Sequence, residues 1–415
     1  MIGAGIFVLS ADAAARAGPA AAVSFVIAGA VCVLIAMNIS ELVTAMPREG
    51  GSYHLISRSL GPAAGTVVGP ANWLGLVFAG GFYLIGFGHF VELATGIPPW
   101  IVVVVTGPGV VLLNYWGTEV TGRVQRWMVG ILVALLCAFV IRSLFEIEPR
   151  LHQPFAPEGW SAAFGVVGLI LVSFTGFEKI TTVAEEVRNP GRNLPLAIIG
   201  SVIVATVLYA AVLLVFTGIM PWQEIPAEET ALVIASGETI GALGFYGMLV
   251  AGLLATISSA NAALLASSRI CYAMGRDRIL PEWLGSIHHS HGTPHHAVLL
   301  TGFLTLMLGL SGTAARLAEI SSALFVVSYA ILSVGVLIMR QVGGDYQPVF
   351  RVPLYPWVPA LGGIAALAVL TTMESVSLLV GLGLAAASLL WYFLWARSRT
   401  DVRGAAAAWL SRQNS

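Results

Sequence analysis

Residues 172–195 read VSFTGFEKITTVAEEVRNPGRNLP, and this stretch decides how the chain is understood. Its first part continues an apolar run that begins near Trp160. Thr175-Gly176 and then Glu178-Lys179 interrupt that run where a bilayer-spanning helix is still deep in lipid. A charged side chain at that depth costs roughly 2.5–3.5 kcal/mol on insertion scales, so it marks a functional site by default.

Composition sets the frame around it. The 415 residues are 57% hydrophobic and 10% charged, with 46 glycines and a mean hydropathy of +0.88, which is the composition of an integral membrane protein. A helix needs about 20 apolar residues to cross the hydrocarbon core. Twelve segments meet or approach that length: 1–16, 19–46, 62–95, 98–114, 122–142, 160–185, 194–219, 239–274, 295–311, 317–340, 357–373 and 375–396. Cys32, Cys137 and Cys271 fall inside these segments and read as small packing residues rather than a disulfide or zinc framework. The net charge of −1 argues against nucleic acid as a partner. No basic stretch precedes the first apolar run, so no cleavable signal pattern is read.

Arginine placement orients the spans. With the 2–3, 4–5, 6–7, 8–9 and 10–11 loops and the C-terminus on one side, that side holds 15 arginines, and the other holds only Arg16, Arg142, Arg150 and Arg316. The positive-inside rule makes the richer side cytoplasmic, giving a multi-pass protein of the cell membrane with a cytoplasmic C-terminus. Lys179, inside a span, is the only lysine in the chain.

Glycines break two segments in equivalent positions. MIGAGIF at 1–7 puts Gly3 and Gly5 around Ala4 in segment one, and Gly176 interrupts segment six. Non-helical backbone at membrane depth is tolerated only where protein buries it or it lines a cavity. Segments one and six head two five-helix halves of opposite topology, and paired interrupted segments of this kind point to a transporter's central site. Thr175-Gly176 is therefore expected to be an unwound hinge. Close helix packing is the competing reading of the same glycines.

These residues resemble the amino acid–polyamine–organocation (APC) superfamily, specifically its bacterial and archaeal amino acid permeases. Five motifs carry the resemblance in the family's order: MIGAGIF, PREGGSY (47–53), SFTGFE (173–178), AEEVRNPGRNLP (184–195) and SSRICYAMGRDRILP (267–281). The resemblance covers essentially the whole chain. It implies an all-α integral membrane protein of about twelve transmembrane helices, with a LeuT-type five-plus-five inverted repeat in which helices one and six are broken. The core would span 1–340, with repeats at about 1–142 and 160–340; two additional helices would occupy 341–396 and a cytoplasmic tail 397–415. In the family the helix-one glycines lie mid-helix after a cytoplasmic half-helix. Here Met1 falls inside the motif, so either the native start lies upstream or the frame is truncated, and a chain that truly began here would lack that half-helix.

A zwitterionic amino acid needs one patch for its carboxylate and one for its ammonium. Free N–H groups at a helix N-terminus suit the carboxylate, and Gly3, Ala4 and Gly5 leave theirs accessible. By resemblance, the carbonyls of Met1, Val172 and Thr175 take the ammonium, with Gly176 at the break. The expected side-chain pocket uses Phe78, Phe82 and Tyr83 of helix three, Ser173 and Phe174, and Ser258, Ser259 and Asn261 of helix eight; core packing explains the aromatics equally well, and interhelical bonding the polar residues. Relatives often carry a bulky aromatic gate where Val172 stands, so the gate is either looser or supplied by Phe174 or Phe177. Glu178 matches an acidic family position and is a candidate proton-sensitive gate. Lys179 is expected to pair with Glu41 or with the helix-eight dipole. Some relatives replace a sodium ion by a helix-five lysine, where this chain has Leu132.

The expected function is a secondary active transporter that moves amino acids by alternating access, as symporter or exchanger, with polyamines or other organic amines as the alternative substrates. Its partners would be the amino acid, H+ or Na+ as coupling ion, and membrane lipid, with no cofactor or metal. The loop HHSHGTPHH, with His288, His289, His291, His295 and His296, reads as a solvated turn before it reads as a metal or pH sensor. A non-transporting sensor would need a signalling domain. A membrane-embedded enzyme would need a metal motif or a nucleophile–base pair, and apart from His295 and His296 at the very start of segment nine the only in-span histidine is His89.

Overall fold

Glycines and prolines cut the chain into its helices. The structure, a computed structural model, describes residues 2–116, 121–226, 228–289, 292–342 and 346–405. Helices α1 (Ala4–Ala17) and α2 (Ala21–Ala45) are divided by one 3-10 turn, Gly18–Ala20, where Gly18 takes φ +59 and Pro19 cannot extend α1. A short α3 (Gly51–Ser59) leads into α4 (Pro62–Thr95), α5 (Pro99–Trp116) and α6 (Thr121–Ser143). Then α7 (Gly159–Gly165) and α8 (Val167–Ile170) run into two 3-10 stretches, Leu171–Ser173 and Thr175–Glu186. The chain continues through α9 (Pro190–Ile219) and α10 (Ala231–Ile240), and Gly241 at φ +77 turns it into α11 (Ala242–Arg276). It ends with α12 (His295–Ser311), α13 (Ala314–Val342), α14 (Trp357–Leu370) and α15 (Ser375–Leu394).

Among the described residues, nine helical stretches are long and apolar enough to cross a membrane, with α1 and α2 taken together as Ala4–Ala45. When α1 and α2 are separated and the shorter apolar helices α12 and α14 are included, each of the twelve expected segments meets a helix. The chain is thus an all-helical membrane protein. Its most apolar windows sort into an inner and an outer set: that of α4 is 72% buried, whereas that of α15 is 17% buried. Outer helices turn large apolar side chains outward, such as Val105 of α5, Trp127 of α6 and Leu379 of α15, as lipid contact requires.

The inner helices pair most extensively as α4 with α11, α2 with α9, and α4 with α13. The first two pairs join segments three with eight and two with seven, which hold equivalent positions in the two expected halves. Polar side chains bridge further helix pairs: Asn38 of α2 to Ser333 of α13 at 3.0 Å, Trp73 of α4 to Thr301 of α12 at 3.0 Å, and Asn114 of α5 to Asn261 of α11 at 2.7 Å.

Segment six departs from the expected hinge. It is not extended at Thr175-Gly176 but wound more tightly, as a 3-10 helix that loses helical angles only at Val183 (φ −123, ψ 22). Threonines account for part of this. The hydroxyls of Thr175, Thr181 and Thr182 donate to the carbonyls three residues back, at 2.9, 2.6 and 2.7 Å, and so compete with regular α-helical bonding.

Candidate functional site

A 3-10 helix has three residues per turn, so positions i, i+3 and i+6 share one face. In segment six those positions are Ser173, Gly176 and Lys179, and all three line one small polar cavity. Gly3, Ala4 and Gly5 face them from the start of α1, Tyr83 from α4, and Ser258 and Ser259 from α11. The cavity volume is about 40 Å³, enough for a few water molecules, so admitting an amino acid requires the surrounding helices to part.

Gly3 caps α1 in an extended conformation, so the first amides of that helix have no intrahelical acceptor. The Ala4 N–H has only a long 3.4 Å bond to Ser259 Oγ. Segments one and six touch closely here. A Cβ added to Gly5 would lie 2.2 Å from Ser173 Oγ and 2.7 Å from Ser173 Cα. Ser173 is 5% exposed, and its Oγ has no hydrogen-bond partner.

The structure distributes the expected site residues unevenly. Gly3, Ala4, Gly5, Ser173, Gly176, Tyr83, Ser258 and Ser259 come together, whereas Met1 lies outside the described residues. Val172 is buried with its N–H donating to Ser322 Oγ of α13 at 2.9 Å, and its carbonyl already accepts the Thr175 hydroxyl. Phe174 packs between Phe25 of α2 and Tyr209 of α9, at ring distances of 6.2 and 5.4 Å. Phe177 stacks on Tyr329 of α13 at 5.8 Å. Phe82 is fully buried beside Tyr83, Phe78 packs against the apolar core, and Asn261 is bonded to Asn114.

Adjacent residues on a 3-10 helix diverge by a third of a turn, and Glu178 and Lys179 accordingly serve different neighbourhoods. Glu178, 4% exposed, accepts hydrogen bonds from Ser52 of α3 and, at 2.5 Å, from Asn72 of α4. Its second oxygen, Oε2, makes no well-formed hydrogen bond, although the Tyr329 hydroxyl of α13 faces the same carboxylate. Lys179 turns to the cavity, with Nζ 5.0 Å from the centre of the Tyr83 ring.

Lys179 therefore does not pair with Glu41. Arg340 of α13 takes that carboxylate through two bonds of 2.8 and 2.6 Å, and the Tyr346 hydroxyl and Val352 N–H complete its shell at 3.1 and 2.6 Å. The planar guanidinium matches a carboxylate in a way a single ammonium cannot.

On the arginine-rich side, motifs far apart in sequence meet. Tyr53 of PREGGSY donates to Asp277 at 2.8 Å, and Arg58 joins it at 3.2 Å. Arg276 bonds Glu49 at 3.1 Å, and Arg269 bonds Glu186 at 2.8 Å. In the histidine loop the His288 and His295 rings lie 5.1 Å apart, and His291 falls outside the described residues. Among the described residues no three His, Cys, Asp or Glu groups converge as metal ligands. Sequence reasoning missed Ser52 and Asn72 as partners of Glu178. Asn72 carried a usable signal, being a lone amide in a long apolar helix.

A sequence model of the family described as amino acid permease matches residues 1–396. The chain is 27% identical to the branched-chain amino acid permease BcaP of Bacillus subtilis (strain 168), over 97% of this chain and 91% of that protein. It is 29% identical to the methylthioribose transporter of the same organism, over 96% and 91% of the two chains. It is 26% identical to the aromatic amino acid transport protein AroP of Corynebacterium glutamicum, over 87% of this chain and 83% of that protein.

Proposed function

The chain belongs to the amino acid permease family, and from that premise we propose that its substrate is held in the cavity between α1, the 3-10 segment six, α4 and α11. The protein is an amino acid transporter of the APC superfamily. The observation that carries the site is the meeting of the α1 N-terminus with Ser173 and Gly176 in one polar cavity. The amides of Gly3, Ala4 and Gly5 sit where the helix dipole is positive and suit a carboxylate. Carbonyls of segment six suit the ammonium, and the surrounding side chains set the side-chain preference. Relatives named for branched-chain and aromatic amino acids make neutral apolar substrates the first to test.

Alternating access fits a closed cavity of this size, which must open to one side at a time. Glu178, tied to α3 and α4, is the carboxylate whose titration would report proton coupling. Ser258 and Ser259 offer hydroxyls for a sodium ion. The arginine asymmetry supports a cell-membrane location with the C-terminus in the cytoplasm.

The test is uptake of labelled amino acids and amines into proteoliposomes, with proton gradients, sodium gradients and internal amino acid imposed separately. Leucine or phenylalanine is expected to accumulate. Failure of every amino acid to enter, by uptake or by exchange, would remove this reading.

A further inference from the structure

Nineteen of the 20 basic residues are arginine, and the single lysine projects into the substrate cavity. Lys179 has no carboxylate partner among the described residues, and its ammonium faces only the ring of Tyr83. Glu178, its neighbour in sequence, points away to Ser52 and Asn72, and Glu41 is occupied by Arg340. The cavity thus holds one fixed cation, the positive end of α1 and the unpartnered Ser173 hydroxyl, and none of its lining side chains is an acid. Such a chamber is one negative charge short.

We propose that Lys179 anchors the substrate carboxylate, together with the α1 amides and Ser173 Oγ, and thereby makes the protein accept α-amino acids and reject the corresponding amines. The inference rests on the placement of the substrate site given above. An amino acid brings the missing carboxylate. A decarboxylated amine or a polyamine brings only positive charge beside an ammonium, where like charges repel strongly in a poorly solvated space. The Tyr83 ring steadies the ammonium in the empty cavity, because its face attracts a cation without neutralising it.

The probes are leucine and its decarboxylated analogue isopentylamine, applied to the reconstituted full chain. Wild type is expected to take up leucine and to be insensitive to the amine. Lys179→Met should raise the KM for leucine by about tenfold or more with a smaller change in kcat, and should let isopentylamine compete. A lost ion contact of this kind is worth about that factor. Lys179→Arg retains the charge and should keep the preference for leucine over the amine even where its geometry slows transport. Thermal unfolding in detergent provides the folding control, and removal of an unpaired ammonium should not lower it.

The inference is overturned if Lys179→Met keeps wild-type KM and still rejects the amine. It is also overturned if the variant changes only the dependence on sodium or protons, because Lys179 would then act as a built-in counter-cation. If wild type moves no amino acid, the site reading beneath it fails first.

Discussion

Two buried charge sites lie in the same helix bundle and are built in opposite ways. At Glu41 the carboxylate is fully buried, and Arg340, Tyr346 and the Val352 amide all bond to it. At Glu178-Lys179 the carboxylate has well-formed bonds at one oxygen only, from Ser52 and Asn72, with the Tyr329 hydroxyl facing it, and the ammonium faces an aromatic ring and a cavity. A complete shell holds α2, α13 and the segment after α13 together. An incomplete one is a cost to folding that persists where a ligand or a proton completes it. The contrast separates a structural ion pair from the proposed working site by counting bonds, without reference to depth in the membrane.

The largest effect should come from breaking the complete site. Arg340→Met strands a buried carboxylate, and removing one partner of such a pair costs about 3–5 kcal/mol. Thermal unfolding in detergent should show a large loss of stability and of folded yield, in contrast to Lys179→Met. Equal effects in the two variants would erase the distinction between the sites.

Next in size is the contact between segments one and six. Gly5→Leu should abolish uptake while leaving the protein in the membrane. Gly5→Ala should reduce it by about tenfold or more, because its Cβ must displace Ser173 backbone as well as side chain. Combining Gly5→Ala with Ser173→Gly should restore part of the loss. Wild-type uptake by Gly5→Leu would remove α1 from the site.

His54, in α3 outside the membrane-spanning stretches, tests a buried group that avoids charge altogether. Burial, reinforced by the Arg58 guanidinium, pushes its imidazole down to about 4 from an ordinary 6.5. Above pH 6.5 both folded and unfolded chains carry it neutral, and its share of stability is complete. As pH falls from 6.5 towards 4 the unfolded chain binds a proton that the folded chain refuses, so stability is lost at about 1.4 kcal/mol per pH unit. Unfolding measured at about pH 7.5 and pH 5.5 should therefore differ less in His54→Gln than in wild type, by about 1.4 kcal/mol.

The smallest expected effect is at the incomplete site itself. Glu178→Gln retains an acceptor for Ser52 and Asn72 but cannot titrate. Stability should change by less than about 1 kcal/mol, while the pH dependence of uptake flattens by a few-fold across about pH 5 to 8. A pH profile parallel to wild type would take Glu178 out of proton coupling and leave it as a bridge between helices.

Much of this arrangement is legible along the chain. The start of α4 at Pro62 and its end at Thr95 match the expected segment, because Gly61-Pro62 and Gly96 are strong local stops. The short α10 was not anticipated, since the expected eighth segment begins at 239 and the Gly241 turn separates two apolar runs. Segment six was expected to unwind at Thr175-Gly176, and it is instead helical there. Its 3-10 winding was not legible, because it reflects threonine back-bonding and packing against α3 and α9 rather than the glycine alone.

The sequence by itself determined that this is a multi-helix membrane protein, where its apolar segments lie, how its arginines are distributed, and that glycines interrupt segments one and six. These follow from local length, hydropathy and glycine content, each of which acts on a few neighbouring residues. Only the tertiary structure decided that Lys179 faces the cavity, that Glu41 belongs to Arg340, and that Phe174 packs between α2 and α9 instead of lining the site. Those outcomes depend on which helices meet and on how a 3-10 twist aims successive side chains, and contacts between residues hundreds of positions apart leave no periodic trace in the chain.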